Sequence, residues 1–168
     1  MGKEIKITPT DQYIIDKVRV LRLEKEVSQK KLSEIISPSG DNSAIGKIES
    51  VSTTHKYTDH QLNIIANYFG CTVYDFYPAE ILDDTPQVKT RVPIPKGLGP
   101  TGIINALLEE GKFFSVPQTI RKTTDYCNEY FKESRPVTDY TAILERAVEK
   151  GSLKKVELES GNVRYQQV

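Results

Sequence analysis

Apolar residues recur at helical spacing along most of the chain, and the breaks between runs fall on glycine, proline and capping residues. Thr8-Pro9-Thr10-Asp11 is a helix start: Thr8 caps, Pro9 suits the first helical position, and Asp11 favours the positive end of the helix dipole. Ile14, Val18 and Leu21, with Ile15 beside them, predict one buried stripe on a helix running to about Lys25. Lys17, Arg19 and Lys25 fall mostly on its wet side. Ser28 is an N-cap before a second run with Leu32, Ile35 and Ile36 apolar, and Pro38 and Gly40 break that run. Asp41 is the next N-cap candidate, opening a helix with Ala44, Ile45 and Ile48 buried; a start at Ser39 is the alternative. After a polar loop over 50–58, Thr58 and Gln61 make a capping-box pattern. Leu62, Ile65, Ala66 and Phe69 then mark a fourth helix ended by Gly70. Thr72 starts a last short helix with Val73, Phe76 and Tyr77, closed by Pro78.

The pattern then changes. Pro86, Pro93, Pro95 and Pro100 are four of the nine prolines, and Gly97 and Gly99 lie among them. This composition favours extended, polyproline-like backbone. Residues 88–94 can pair as an edge strand, but the preferred reading of 81–100 is a linker, a semi-rigid tether that lets two globules reach neighbouring sites or pair across a dimer. Beyond it, Pro100 or Thr101 opens a helix with Ile103, Ile104, Leu107 and Leu108, stopped by Gly111. Phe113-Phe114 is a short strand-like run. Thr119 caps a helix with Ile120, Thr124, Cys127, Tyr130 and Phe131 on a broad face, and Thr138 caps one with Tyr140, Ile143, Leu144, Ala147 and Val148. Leu153, Val156 and Leu158, then Ser160-Gly161-Asn162, then Val163 and Tyr165, predict a β-hairpin.

Composition narrows the function more by exclusion than by indication. The chain has 168 residues, 38% of them hydrophobic, and no apolar run near the roughly 18–20 residues a membrane span needs. Its first ten residues alternate charge and apolarity and lack the apolar block of a signal peptide, so the expectation is a cytoplasmic protein with no membrane partner. Cys71 and Cys127 lack metal-ligand spacing, and His55 and His60 read as surface residues, so no cofactor or metal is expected. With no Gly-rich phosphate loop and no nucleophile signature, the chain is not read as an enzyme. Net charge is zero; residues 1–80 carry ten Lys+Arg against eleven Asp+Glu, and 101–168 carry ten against ten. Any contact with DNA phosphates must therefore come from local placement of cations, not from bulk charge.

Two short helices around a Gly-containing turn, over 27–49, are the pattern of a helix-turn-helix, whose second helix can enter the major groove. The stretch from Ile14 to Tyr77 resembles the Cro/phage-repressor (XRE) family. The resemblance rests on Leu21-Arg22, Val27-Ser28-Gln29, Leu32, Ile45, Ile48-Glu49, Ile65-Ala66, Phe69-Gly70 and Asp75-Phe76, in that order. It implies that Gln29 bonds a phosphate, with Ser28 capping the same helix. Asn42, Ser43 and Ala44 would face base edges, with Lys47 one turn on, and Arg22 would pair with Glu49. Physical chemistry adds that a helix N-terminus attracts phosphate, that Asn42 suits adenine and Ala44 a thymine methyl, and that Lys47 and Lys56 can neutralise phosphates. Lys30 completes the candidate DNA-binding set. Taken singly, Gln29 and Asn42 read equally well as solvated polar residues, and Lys30-Lys31 as a wet helix face. Two departures from the family pattern are the turn over 36–41 and the loop over 49–57, each about two residues long in excess.

The expected fold class is mainly α: a five-helix lambda-repressor-like DNA-binding domain at 1–80, a Pro/Gly-rich linker at 81–100, and a small winged-helix-like α+β domain at 101–168. The last resembles a winged helix in pattern only. Its third helix, over 139–150, carries Asp139, Glu145 and Glu149 against Arg146 and Lys150, which favours protein contact over DNA. The apolar tail strand could also add to a partner's sheet edge. The expected function is a sequence-specific, homodimeric transcription regulator bound to double-stranded DNA. The alternative is an interaction adaptor or antitoxin-like partner protein that acts through the C-terminal module.

Overall fold

The computed structural model describes residues 4–157 and 161–168. Leu158 and Ser160, expected in the hairpin, lie outside the described residues. The fold is mainly helical, with seven α-helices and five short strands among the described residues. The chain divides into two units, 1–93 and 94–168. No helix among the described residues is long and apolar enough to cross a membrane.

The first unit contains β1 (Lys6–Ile7), α1 (Pro9–Glu24), α2 (Gln29–Ile36), α3 (Ala44–Glu49), α4 (Asp59–Phe69), a 3-10 turn (Val73–Phe76) and β2 (Gln87–Val88). Its helix ends follow the capping chemistry written in the sequence. Thr8 Oγ1 accepts from Asp11 N at 3.1 Å, and Ser28 Oγ from Lys31 N at 3.1 Å. Thr58 and Gln61 form the reciprocal capping box, each side chain bonding the other's backbone. Gly70 ends α4 in the left-handed region at φ 70°. The core joins Ile14, Ile15 and Val18 of α1 to Leu32 and Ile36 of α2, Ile45 and Ile48 of α3, Leu62 and Ile65 of α4, and Phe76. The expected fifth helix is a single 3-10 turn, because Pro78 stops it and only Phe76 is buried there.

Three expectations change here. The third helix starts at Ala44, not at Asp41 or Ser39, because the Asp41 carboxylate folds the preceding residues into a turn, taking the Ser43 N–H at 2.8 Å. Arg19 is not on the wet side; it is 1% exposed, with Nη1 donating to Val92 O at 3.0 Å. The expected linker at 81–100 is not a linker over its whole length. Residues 87–92 form a strap on the first unit: β2 pairs antiparallel with β1, and Lys89 N donates to Ile5 O at 2.8 Å. Gln12 Nε2 donates to Thr90 O at 3.0 Å while Thr90 N donates to Gln12 Oε1 at 2.9 Å. Prolines at 86 and 93 flank this strap and interrupt none of its bonds, which is how an edge strand tolerates proline.

The second unit contains α5 (Pro100–Glu110), a 3-10 turn (Phe113–Ser115), β3 (Gln118–Thr119), α6 (Ile120–Phe131), α7 (Thr138–Glu149), β4 (Leu153–Glu157) and β5 (Val163–Gln167). Its sheet order is β3-β5-β4, antiparallel throughout. Ile94, Leu98, Ile103, Ile104, Leu107, Phe114, Phe131, Tyr140, Leu144, Leu153 and Tyr165 are buried. The strand-like element is at Gln118–Thr119 and not at Phe113-Phe114, where Phe114 turns into the core. Tyr130 leaves its expected buried face and is 45% exposed. Thr138 does not cap α7; Val137 already has helical backbone at φ −56°. The tail strand β5 is not an edge, because both its sides are taken, by β3 and β4.

Gly70 has open space where a side chain would project, so only its backbone conformation resists substitution. Gly70→Ala is expected to cost about 1 kcal/mol from left-handed strain alone. Urea unfolding would measure it, and no loss would show that the α4 end does not need this conformation.

Candidate nucleic-acid interface

Most candidate residues fall at two places on the first unit, the start of α2 and α3 with the turn leading into it; Lys56 lies in the loop after α3. One buried carboxylate, Glu49 at the trailing end of α3, ties α3 to the start of α2. Arg22 Nε donates to Glu49 Oε1 at 2.9 Å and Nη2 to Glu49 Oε2 at 2.6 Å, with neither side chain exposed. Gln29 Nε2 donates to the same Oε2 at 2.9 Å, and Arg19 Nε lies 3.6 Å from it. The cluster thus joins α1, the leading end of α2 and the trailing end of α3. Buried charge this dense is tolerated only because donors surround the carboxylate. The field reaches its neighbours. Burial pushes the Tyr57 hydroxyl well above the ordinary phenol value, and the Glu49 charge pushes it the same way. Asp16 is raised chiefly by burial, opposed by the Gln12 hydrogen bond and the Arg19 charge.

A second tie sets the distance between α2 and α3. Ser33 is fully buried; its Oγ donates to Gln29 O at 2.8 Å and accepts Ile45 N at 3.0 Å. An early N–H of α3 is therefore satisfied from within. A Cβ on Gly46 would stand 3.3 Å from Gln29 Oε1, so glycine here permits the close approach.

Ser28 caps α2 and is half-buried; Lys30 is exposed beside it. Gln29 is half-buried with its amide turned to Glu49, which leaves one of its two N–H hydrogens for an outside acceptor. Asn42 and Ser43 are exposed in the turn before α3, Ala44 is half-buried at its first position, and Lys47 is exposed one turn on. Lys47 Nζ pairs with Asp41, both about half exposed. Lys56 Nζ pairs with Asp11 Oδ2 at 3.2 Å, well away in sequence from the α3 turn. Exposed pairs of this kind contribute about 0–1 kcal/mol, so a phosphate can displace either carboxylate at little cost.

Several residues that shape this face were read otherwise in the sequence or not singled out there. Asp41 read as a helix cap, yet it accepts Ser43 N, Ser43 Oγ and Lys47 Nζ together. Thr53 Oγ1 donates to Lys47 O, covering one carbonyl at the end of α3. Lys89 is 3% exposed, and burial pulls its ammonium below the ordinary lysine value. Other chemistry is sparse: no group of three or more His, Cys, Asp or Glu among the described residues is placed to hold a metal. Burial pushes the Cys127 thiol up to about 11, which keeps it protonated and unreactive near neutral pH.

Removing the Glu49 charge strands buried guanidinium. Glu49→Gln is expected to cost about 3–5 kcal/mol in urea unfolding, and the double variant Arg22→Met, Glu49→Met less than the sum of its single changes. Additive losses would show the pair is not coupled. The Lys47 ammonium, then the Ser43 hydroxyl and amide, hold the Asp41 carboxyl well below the usual carboxylate range. A depressed folded value means the turn is fully held above the unfolded Asp value of about 3.9 and released only as pH falls through the lower folded one. In a carboxyl NMR titration, Lys47→Ala is expected to move Asp41 back toward its ordinary value; no movement would place the cause elsewhere. No family model, no curated protein and no solved structure matches this chain.

Proposed function

We propose that the first unit reads double-stranded DNA through α2 and α3, as a helix-turn-helix of the Cro/phage-repressor kind. The chain then acts as a homodimeric, sequence-specific transcription regulator. One observation carries this reading. Ile45, Ile48 and Glu49 tie α3 inward, while Asn42 and Ser43 are exposed just before its first residue and Lys47 is exposed one turn on. A six-residue helix that spends its inward face on such anchors leaves its outer end for recognition. Asn42 offers the donor and acceptor pair that matches adenine N6 and N7. Lys47 and Lys30 supply phosphate contacts where net charge is zero. An open cleft lined by Asp59, Asn63, Val73, Tyr74 and Tyr77, with Tyr74 86% exposed, gives a second copy a face to cover.

The second unit we read as winged-helix-like. Its helix-strand-helix-helix-hairpin order, with the first short strand beside the last, supports that. We assign it to protein contact. Phe113, Tyr126 and Tyr130 form a row of rings with centroids 4.5 and 6.1 Å apart, and both tyrosines are partly exposed. Exposed aromatics of this kind suit a protein partner. The same row favours the second reading, an adaptor that grips a partner through 94–168.

Selection of bound sites from a random duplex library, with the full chain, tests the first reading. The expected product is a palindrome with half-sites about 34 Å apart, or a multiple. Asn42→Ala is expected to lose about 1–3 kcal/mol of discrimination at one base pair, and Lys47→Ala to weaken all sequences alike and lower the salt slope by about 1. Gln29→Ala is expected to weaken binding as well. No enriched sequence at low salt would leave the adaptor reading.

A further inference from the structure

We propose that Lys89 is a positioning residue for α3, and that the strap over 87–92 is part of the recognition apparatus. The inference rests on the DNA-binding reading for its functional consequence, but its structural content stands apart from it.

A lysine ammonium carries three hydrogens and no acceptor. At Lys89 all three find backbone oxygens: Ile48 O at 2.6 Å, Thr53 O at 3.0 Å and His55 O at 3.0 Å. Ile48 is the penultimate residue of α3, where carbonyls lack helical partners and the dipole is negative. Thr53 and His55 lie in the loop that leads to α4. One buried cation therefore closes the end of α3 and holds two points of the loop behind it. None of the three acceptors is a carboxylate, so the bonds fix backbone and not side-chain positions.

The strap holds Lys89 in place independently of α3. Val88 pairs with Lys6, Thr90 is bonded both ways to Gln12, and Val92 O takes Arg19 Nη1. Arg19 in turn stands 3.6 Å from Glu49, the last residue of α3. The strap thus reaches α3 twice, through its lysine and through the arginine it engages. A helix of six residues has little rigidity of its own. Its orientation depends on what grips its two ends, and Lys89 grips the end opposite the bases.

The test uses the full chain with Lys89→Met, which keeps the length of the side chain and removes the charge and donors. A second variant, Gln12→Ala, loosens the strap from a residue whose hydrogen bonds go to Asp16 and Thr90 and not to α3. Amide hydrogen exchange is followed residue by residue, and affinity is measured for the selected duplex and for random duplex. In Lys89→Met, exchange over 47–56 is expected to rise about tenfold or more while α4 keeps its protection. Affinity for the selected duplex is expected to fall about tenfold, with random duplex nearly unchanged, because the buried Lys89 cannot itself meet a phosphate. Gln12→Ala is expected to act the same way and more weakly. Wild-type exchange over 47–56 together with wild-type sequence preference in a folded Lys89→Met chain would overturn the proposal. If Lys89→Met does not fold, unchanged exchange over 47–56 in Gln12→Ala would overturn it. If the unaltered chain prefers no sequence, the DNA reading fails, and the exchange data alone still decide whether Lys89 holds α3.

Discussion

A carboxylate removed from water needs donors around it, and Glu49 finds them on α1 and α2. Arg22 meets it with two bonds, Gln29 with one, and Arg19 stands beyond. No short helix could be placed so definitely by apolar contact alone, because Ile45 and Ile48 would fill the same core through a range of tilts. The charged cluster is directional. It makes the orientation of α3 a consequence of where Arg22 and Gln29 emerge from their helices. Such a pair need not add net stability, and its value here lies in geometry.

Much of this fold was legible in the residues. Helix ends at Thr8, Ser28, Thr58 and Gly70 follow local capping chemistry, and local chemistry is what sequence patterns record. The Arg22–Glu49 pair was reachable only through the family resemblance. The misses have two causes. Arg19 and Lys89 look like surface cations in any window of sequence, and their burial depends on partners between thirty and more than seventy positions away. The start of α3 was misplaced because an aspartate before a helix serves equally as cap or as turn former, and Lys47 and Ser43 decide between them.

The proline-rich stretch teaches a related point. Proline was read chiefly as a mark of a semi-rigid linker, yet Gln87 to Val92 carry backbone and side-chain bonds to β1, Gln12 and Arg19. Proline excludes only the bond its own nitrogen would make. Ile94 and Leu98, from the same stretch, are buried with the second unit. The segment is divided between two bodies, and its composition gave no sign of the division.

We propose that the leading end of α3 meets a duplex. The most direct measurement is the amide spectrum of the isotope-labelled full chain as duplex DNA is added. Shifts are expected to concentrate at 28–30 and 42–47. Shifts confined to 100–168, with those two segments unmoved, would contradict it.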